Sequence, residues 1–266
     1  KSKVELLSKY PQVYSDKSIY TPEVLKRDFS FPLAEYDNVK RVWRVKDFKS
    51  KYFNINNGSR VTEFANQDPK NFIFMFGGST LFCDEVPDKY TVSSYLQLFV
   101  NKISDKYNVI NHGILSDMTH TQVIRLKETP LKEGDIVIFY GGSNDVAFIL
   151  ERDNRAGIQE DWAKGHLAKN NIQYYSPIER AIIKAYYAFP KSYIFKILHK
   201  NITIEKLDDS GIHKESISSN IEYLPKYYLN QIRTAKNFID EKNAYFFNFV
   251  QPNMYTKNIK NLTTIE

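Results

Sequence analysis

The chain has 266 residues, 42% apolar and 26% charged, proportions that exclude a wholly disordered protein and allow a full hydrophobic core. Its net charge of +6 arises from 37 basic and 31 acidic residues that are interspersed. With no basic block, zinc-finger spacing or aromatic RNA-binding signature, nucleic acid is not an expected partner. A single cysteine, Cys83, excludes an internal disulfide framework and a cysteine-based metal cluster, and no metal or cofactor is expected.

Residues 1–70 are rich in Lys, Tyr and Pro and are expected to form an amino-terminal extension packed on the core. Within them Tyr52-Phe-Asn-Ile-Asn-Asn-Gly58-Ser-Arg60 predicts a hairpin around an Asn-Gly turn. From residue 71 short apolar runs alternate with amphipathic stretches. Asn71–Met75 reads as a buried strand, and Val92, Leu96, Phe99 and Ile103 then recur at helical spacing, predicting a helix over 90–106 with that face buried. Tyr107–Ile110 is a second strand, Thr121–Leu126 a helix ended by Pro130, and Ile136–Tyr140 a third strand. Ile221, Leu224, Tyr228, Ile232, Ala235 and Ile239 mark another helix, which leads into a strand at Tyr245–Val250.

Strand and helix in alternation predict an α/β fold, a parallel sheet with helices on both faces. Residues 71–266 would form this domain. The stretch 150–220, with a helix over Ile178–Phe189, breaks the rhythm and reads as a helical insertion over the strand ends, either a lid or a structural elaboration. No run of about eighteen apolar residues is present, so membrane contact would need a segment absent from this sequence. The opening Lys-Ser-Lys reads as the start of a piece of a longer chain.

Three strand ends carry the residues that could do chemistry: Gly77-Gly78-Ser79-Thr80, Asn111-His112-Gly113, and Gly141-Gly142-Ser143-Asn144-Asp145. A phosphate cradle would need a longer glycine loop ending in Lys before Ser or Thr, or Gly-x-Gly-x-x-Gly, and neither is present. A serine after a tight glycine turn explains more, because it holds a hydroxyl at the mouth of the sheet beside a helix amino end. Acyl transfer then needs donors aimed at the oxyanion. The Ser79 and Gly113 backbone N–H groups and the Asn144 side-chain amide would provide three, from three adjacent strand ends.

Gly-Gly-Ser after a strand, then Asn-x-Gly, then Gly-x-Asn-Asp, in this order over residues 71–146, resembles the first three blocks of the SGNH (GDSL-type) hydrolase superfamily. The resemblance implies a flavodoxin-like three-layer fold, Ser79 as nucleophile, and Gly113 and Asn144 with the Ser79 amide as oxyanion hole. It further implies a serine-dependent ester hydrolase or O-acyltransferase acting on small acyl groups such as O-acetyl. The Gly-Gly-Ser variant, with Gly78 where the family usually has Asp, is associated with bacterial branches acting on surface glycans, which points to an acylated glycan substrate and the cell envelope.

The family's Asp-x-x-His near the carboxyl end is missing, and none of His112, His120, His166, His199 and His213 follows the Tyr245–Val250 strand. Either that block lies past Glu266 in a longer chain, or the protein is a degenerate scaffold that keeps the fold without the base. His112 and His120 lie near the second turn and read as loop or capping residues. Cys83 reads as a packing residue in the first turn of the helix opened by Ser79, with Asp84 and Glu85 as first-turn carboxylates. Asp145 reads as a residue that orders its loop.

Overall fold

The structure, a computed structural model, describes residues 42–152 and 214–251 together with scattered positions before residue 42. The predicted insertion helix at 178–189, His166, His199 and His213 lie outside the described residues. The chain divides into two compact units, one of Lys1–Asp37, Trp43–Asp145 and Tyr227–Glu266, the other of Asn38–Val42 and Val146–Lys226. The first unit holds the main sheet and the three glycine-marked strand ends.

Short strands β1 (Glu35–Asp37) and β2 (Val42–Arg44) form a two-stranded sheet. Seven strands form the main sheet: β3 (Phe48–Lys49), β4 (Asn54–Asn56), β5 (Ser59–Arg60), β6 (Asn71–Gly77), β7 (Tyr107–Gly113), β8 (Ile136–Gly141) and β9 (Tyr245–Val250). Their order is β3-β4-β5-β7-β6-β8-β9. The last four are mutually parallel, with Phe76 opposite both His112 and Phe139. Helices are α1 (Ser79–Phe82), α2 (Val92–Asn101), α3 (Thr119–Glu128), α4 (Ser143–Arg152) and α5 (Lys214–Asp240).

Side-chain alternation along β6 explains why both faces are covered. Phe74 and Phe76 point to one face and pack with Val123 and Leu126 of α3 and Ala235 and Ile239 of α5. Ile73 and Met75 point to the other and pack with Leu81 of α1, with Leu96 and Val100 of α2 against the same cluster. The chain passes from β6 to β7 on one side of the sheet, then returns past β6 to lay down β8. That reversal falls at the carboxyl ends of β6 and β8, the place where open α/β sheets bind ligands.

The Asn-Gly hairpin forms as its residues predict. Ile55 pairs with Arg60 across β4 and β5, and Asn57 and Gly58 take φ values of 49° and 68°, as a two-residue primed turn requires. Its place in the fold differs from a mere extension of the core. β5 adds antiparallel to β7 through Arg60 opposite Asn111, so residues 48–60 widen the main sheet itself.

The expected face of α2 is corrected. Val92, Phe99 and Ile103 are 40%, 59% and 87% exposed, while Ser93, Ser94 and Gln97 are buried. Pairing explains the inversion, since β5 reaches β7 only at Asn111 and leaves the edge at residues 107–109 without a strand. Gln97 substitutes for that strand: its Nε2 donates to the Tyr107 carbonyl at 3.0 Å, and its Oε1 accepts from the Val109 N–H at 2.7 Å. Ser94 Oγ donates to the Asp88 carbonyl at 2.6 Å, and Ser93 Oγ accepts from Asn111 Nδ2 at 3.0 Å. Backbone satisfaction therefore outweighs the apolar stripe. The helix is also shorter than expected, ending at Asn101.

Arg60, 1% exposed, is the polar centre of this side of the molecule. Its Nε donates to Asp88 Oδ1 at 2.7 Å, and its Nη atoms donate to the carbonyls of Phe82, Cys83 and Val86 at 3.3, 3.0 and 2.7 Å. It thus satisfies the carbonyls that end α1, and so fixes the turn that carries Ser79. Arg60→Ala would leave the Asp88 carboxylate buried without its cation. The expected loss is about 3–5 kcal/mol of unfolding free energy, read from urea denaturation; a loss under about 1 kcal/mol would count this ion pair as dispensable.

Candidate active site

Two glycines let β6 turn into α1 in a space where no side chain fits. A Cβ on Gly77 would stand 2.3 Å from the Tyr140 carbonyl oxygen, and one on Gly78 would stand 2.5 Å from Asn144 Nδ2. Gly113 is equally confined, with a Cβ there 2.6 Å from the Phe82 backbone nitrogen. These contacts bring the three loops together: Asn144 lies against Gly78, and Gly113 lies against the end of α1. Ser79 is the first residue of α1, exposed to solvent, and its hydroxyl makes no hydrogen bond among the described residues.

Asn144 is held from the β7–α3 loop. Its Nδ2 donates to the Asp117 carbonyl at 2.9 Å, which occupies one amide hydrogen and leaves the second available. The loop in turn is pinned by a buried ion pair. Arg125 Nη2 donates to Asp117 Oδ2, Arg125 Nη1 donates to the His112 carbonyl at 2.6 Å, and Thr121 Oγ1 donates to Asp117 Oδ1 at 2.5 Å. Burial pushes the Asp117 carboxyl upward, opposed by Arg125 and Thr121. The sequence reading missed Asp117 and Arg125. Their signal was Asp, Thr and Arg at steps of four, which line one face across the start of α3.

Asp145 lies in the first turn of α4 and ties it to the start of α3 by accepting from the Thr119 N–H at 3.1 Å and from Thr119 Oγ1 at 2.8 Å. Burial raises its carboxyl to about 6. Gly113 differs from the expected oxyanion donor in one respect. Its N–H donates to Asn111 Oδ1 at 2.9 Å and is therefore engaged, while Asn111 Nδ2 donates to the Leu81 carbonyl at 2.9 Å. Gly113 also belongs to β7, which runs three residues past the predicted strand. The donors open to a ligand are the Ser79 N–H at the start of α1 and the second hydrogen of the Asn144 amide.

The residues after Ser79 require correction. α1 has only four residues, so it supplies local N–H groups rather than a sizeable dipole. Cys83 is its C-cap at φ 53°, not a first-turn residue, and Asp84 and Glu85 follow the helix. The Cys83 thiol donates to the Thr80 carbonyl at 2.8 Å, and burial pushes its pKa up, away from thiolate.

Neither described histidine touches Ser79. His112 Nδ1 lies 3.0 Å from Ser59 Oγ, and its ring stacks on Phe74 with centroids 5.8 Å apart. Burial and the nearby Arg125 charge lower its pKa to about 3. His120 packs edge-on to Tyr227 at 6.4 Å, and burial lowers it to about 4. Both are neutral at pH 7. Among the described residues no group of three His, Cys, Asp or Glu side chains could hold a metal ion.

No protein-family model and no curated protein matches this chain. Solved structures do show similarity. AlinE4, described as an SGNH-hydrolase family esterase, is 17% identical with a TM-score of 0.28, over 61% of this chain and 75% of that one. Two mutants of it are 14% and 13% identical, each with a TM-score of 0.26, covering 61% and 71% of this chain and 75% and 89% of theirs. Likeness this low carries no conclusion about activity.

Two outcomes follow from the packing. Gly78→Ala should displace the Asn144 amide and destabilise the fold by about 1–3 kcal/mol, as overpacking does; a variant as stable as the parent in urea would show that the loop yields. The depressed pKa of His112 contributes stability that is complete above its unfolded value near 6.5 and is lost as pH falls toward about 3. Asp145 works oppositely, its contribution present below its unfolded value of 3.8 and lost as pH rises through about 6. Unfolding free energies measured between pH 7 and pH 4.5 should therefore fall less steeply in His112→Gln than in the parent. Parallel curves would rule out His112 as a source of acid sensitivity.

Proposed function

We propose that this chain is a serine-dependent acyl-ester hydrolase or O-acyltransferase of the SGNH type. The single observation that carries the reading is the near-contact of Gly78, the residue before the exposed and unbonded Ser79, with the Asn144 amide. The strand order β7-β6-β8-β9 supports it, since the first parallel strand takes second place, as in a flavodoxin-like sheet.

In this reading Ser79 Oγ attacks the ester carbonyl carbon while its proton passes to a base outside the described residues. The carbonyl oxygen gains charge and is stabilised by the Ser79 N–H and the free Asn144 amide hydrogen. Gly113 joins as a third donor if Asn111 Oδ1 releases its N–H. Collapse of the tetrahedral species expels the alcohol and leaves an acyl-enzyme. Water then releases the acid, or a sugar hydroxyl takes the acyl group. A small O-acetyl ester of a bacterial surface glycan, met at the cell envelope, is the substrate this reading favours.

One set of observations favours a second reading, a binding protein that has lost its chemistry. Gly113 N–H is engaged, and the described histidines are neutral, partly buried and in contact with residues other than Ser79. The two readings part on Ser79. The enzyme reading expects Ser79→Ala to abolish p-nitrophenyl acetate turnover, and Asn144→Ala to lower kcat by about 100- to 1,000-fold. It also expects a fluorophosphonate to label the parent but not Ser79→Ala. No labelling and no turnover by the parent would leave the binding protein.

A further inference from the structure

Away from the serine lies a cavity of about 730 Å³, within the range of small-molecule sites. Ser79 and Asn144 are not among its lining residues. Its floor is the aromatic row of β6, where Phe72, Phe74 and Phe76 alternate onto one face, with Ile110 of β7 beside them. His112 extends that wall as a ring stacked on Phe74, and its depressed pKa keeps it uncharged.

The cations around this floor are unevenly paired. Arg44, Arg125 and Lys132 line the cavity against a single carboxylate, Glu128. Arg44 is paired with Asp37 and Glu128, and Arg125 with Asp117. Lys132 pairs with no carboxylate among the described residues and stands over the Phe72 ring, its Nζ 5.7 Å from the centroid. Arg125 is 8% exposed, yet its Nε–H has no acceptor. An apolar floor beside an unpaired ammonium, with one buried donor unmet, suits a ligand that is hydrocarbon or aryl over most of its length and anionic at one end.

We propose that this cavity binds an apolar carboxylate, its body on the Phe72–Phe74–Phe76 floor and its carboxylate at the Lys132 rim. The site is separate from the serine chemistry, and it stands whether or not Ser79 is a nucleophile.

Trp43 lines the cavity and is one of only two tryptophans in the chain, so Trp162→Phe leaves it as the sole indole reporter. Decanoate titrated into this variant, below its micelle concentration, should change Trp43 emission saturably at one site per chain. Decanol, the neutral counterpart, should bind more weakly. Adding the exposed rim substitution Lys132→Glu should weaken decanoate by about fivefold or more and leave decanol unchanged. No saturable response up to about 1 mM overturns the proposal, as does equal binding of acid and alcohol, or a Lys132→Glu titration matching that of Trp162→Phe alone. Adding Ser79→Ala to Trp162→Phe should leave decanoate binding intact. Loss of binding there would place the ligand in the serine loops and end the claim of a separate site.

Discussion

The candidate site depends on one steric constraint, the near-contact of the β6–α1 turn with the loop that follows β8. Gly78 lies so close to the Asn144 amide that a Cβ would come within 2.5 Å of it, and Gly77 lies closer still to the Tyr140 carbonyl. Only glycine permits that approach, at 77 without moving backbone and at 78 without displacing the Asn144 side chain. Because β6 and β8 are adjacent parallel strands in register from Ile73 opposite Ile136, their carboxyl ends arrive together, and the two loops must share one small volume. Gly78, just before the exposed serine, and the Asn144 amide are neighbours because the sheet leaves them nowhere else to be.

Around that constraint the molecule builds a chain of buried polar contacts, each of which positions the next. Arg60 satisfies the carbonyls that end α1 and so holds the turn from behind. Asn111 reaches the Leu81 carbonyl from β7. Arg125 and Asp117 fix the loop whose carbonyl orients Asn144. Burial of these groups would be costly were they unpaired, and among their side-chain donors only the Arg125 Nε–H lacks an acceptor. The same economy governs α2, where Gln97 takes the place of a missing strand and Val92 and Phe99 are left facing outward.

Much of this architecture was legible because period and punctuation are local. Alternating apolar runs marked β6, β7, β8 and β9, Asn57-Gly58 marked the hairpin, and Pro130 marked the end of α3. The three glycine loops stood out for the same reason, and their order along the chain suggested Ser79, Gly113 and Asn144. The buried face of α2 was not legible, because hydrophobic spacing says nothing of which backbone edge still needs a partner. Arg60, Asp117 and Arg125 were missed because an isolated arginine or aspartate shows its importance only through what it reaches across the fold.

The sequence by itself determined the kinds of element, their order and the residues offered at the strand ends, since each depends on neighbours a few positions away. Only the tertiary structure decided that β5 joins the main sheet, that Gly113 gives its N–H to Asn111, that Cys83 closes α1 rather than opening it, and that His112 lies neutral against the cavity floored by Phe72, Phe74 and Phe76. Those outcomes depend on pairing and desolvation between segments separated by tens of residues, and strand register sets both.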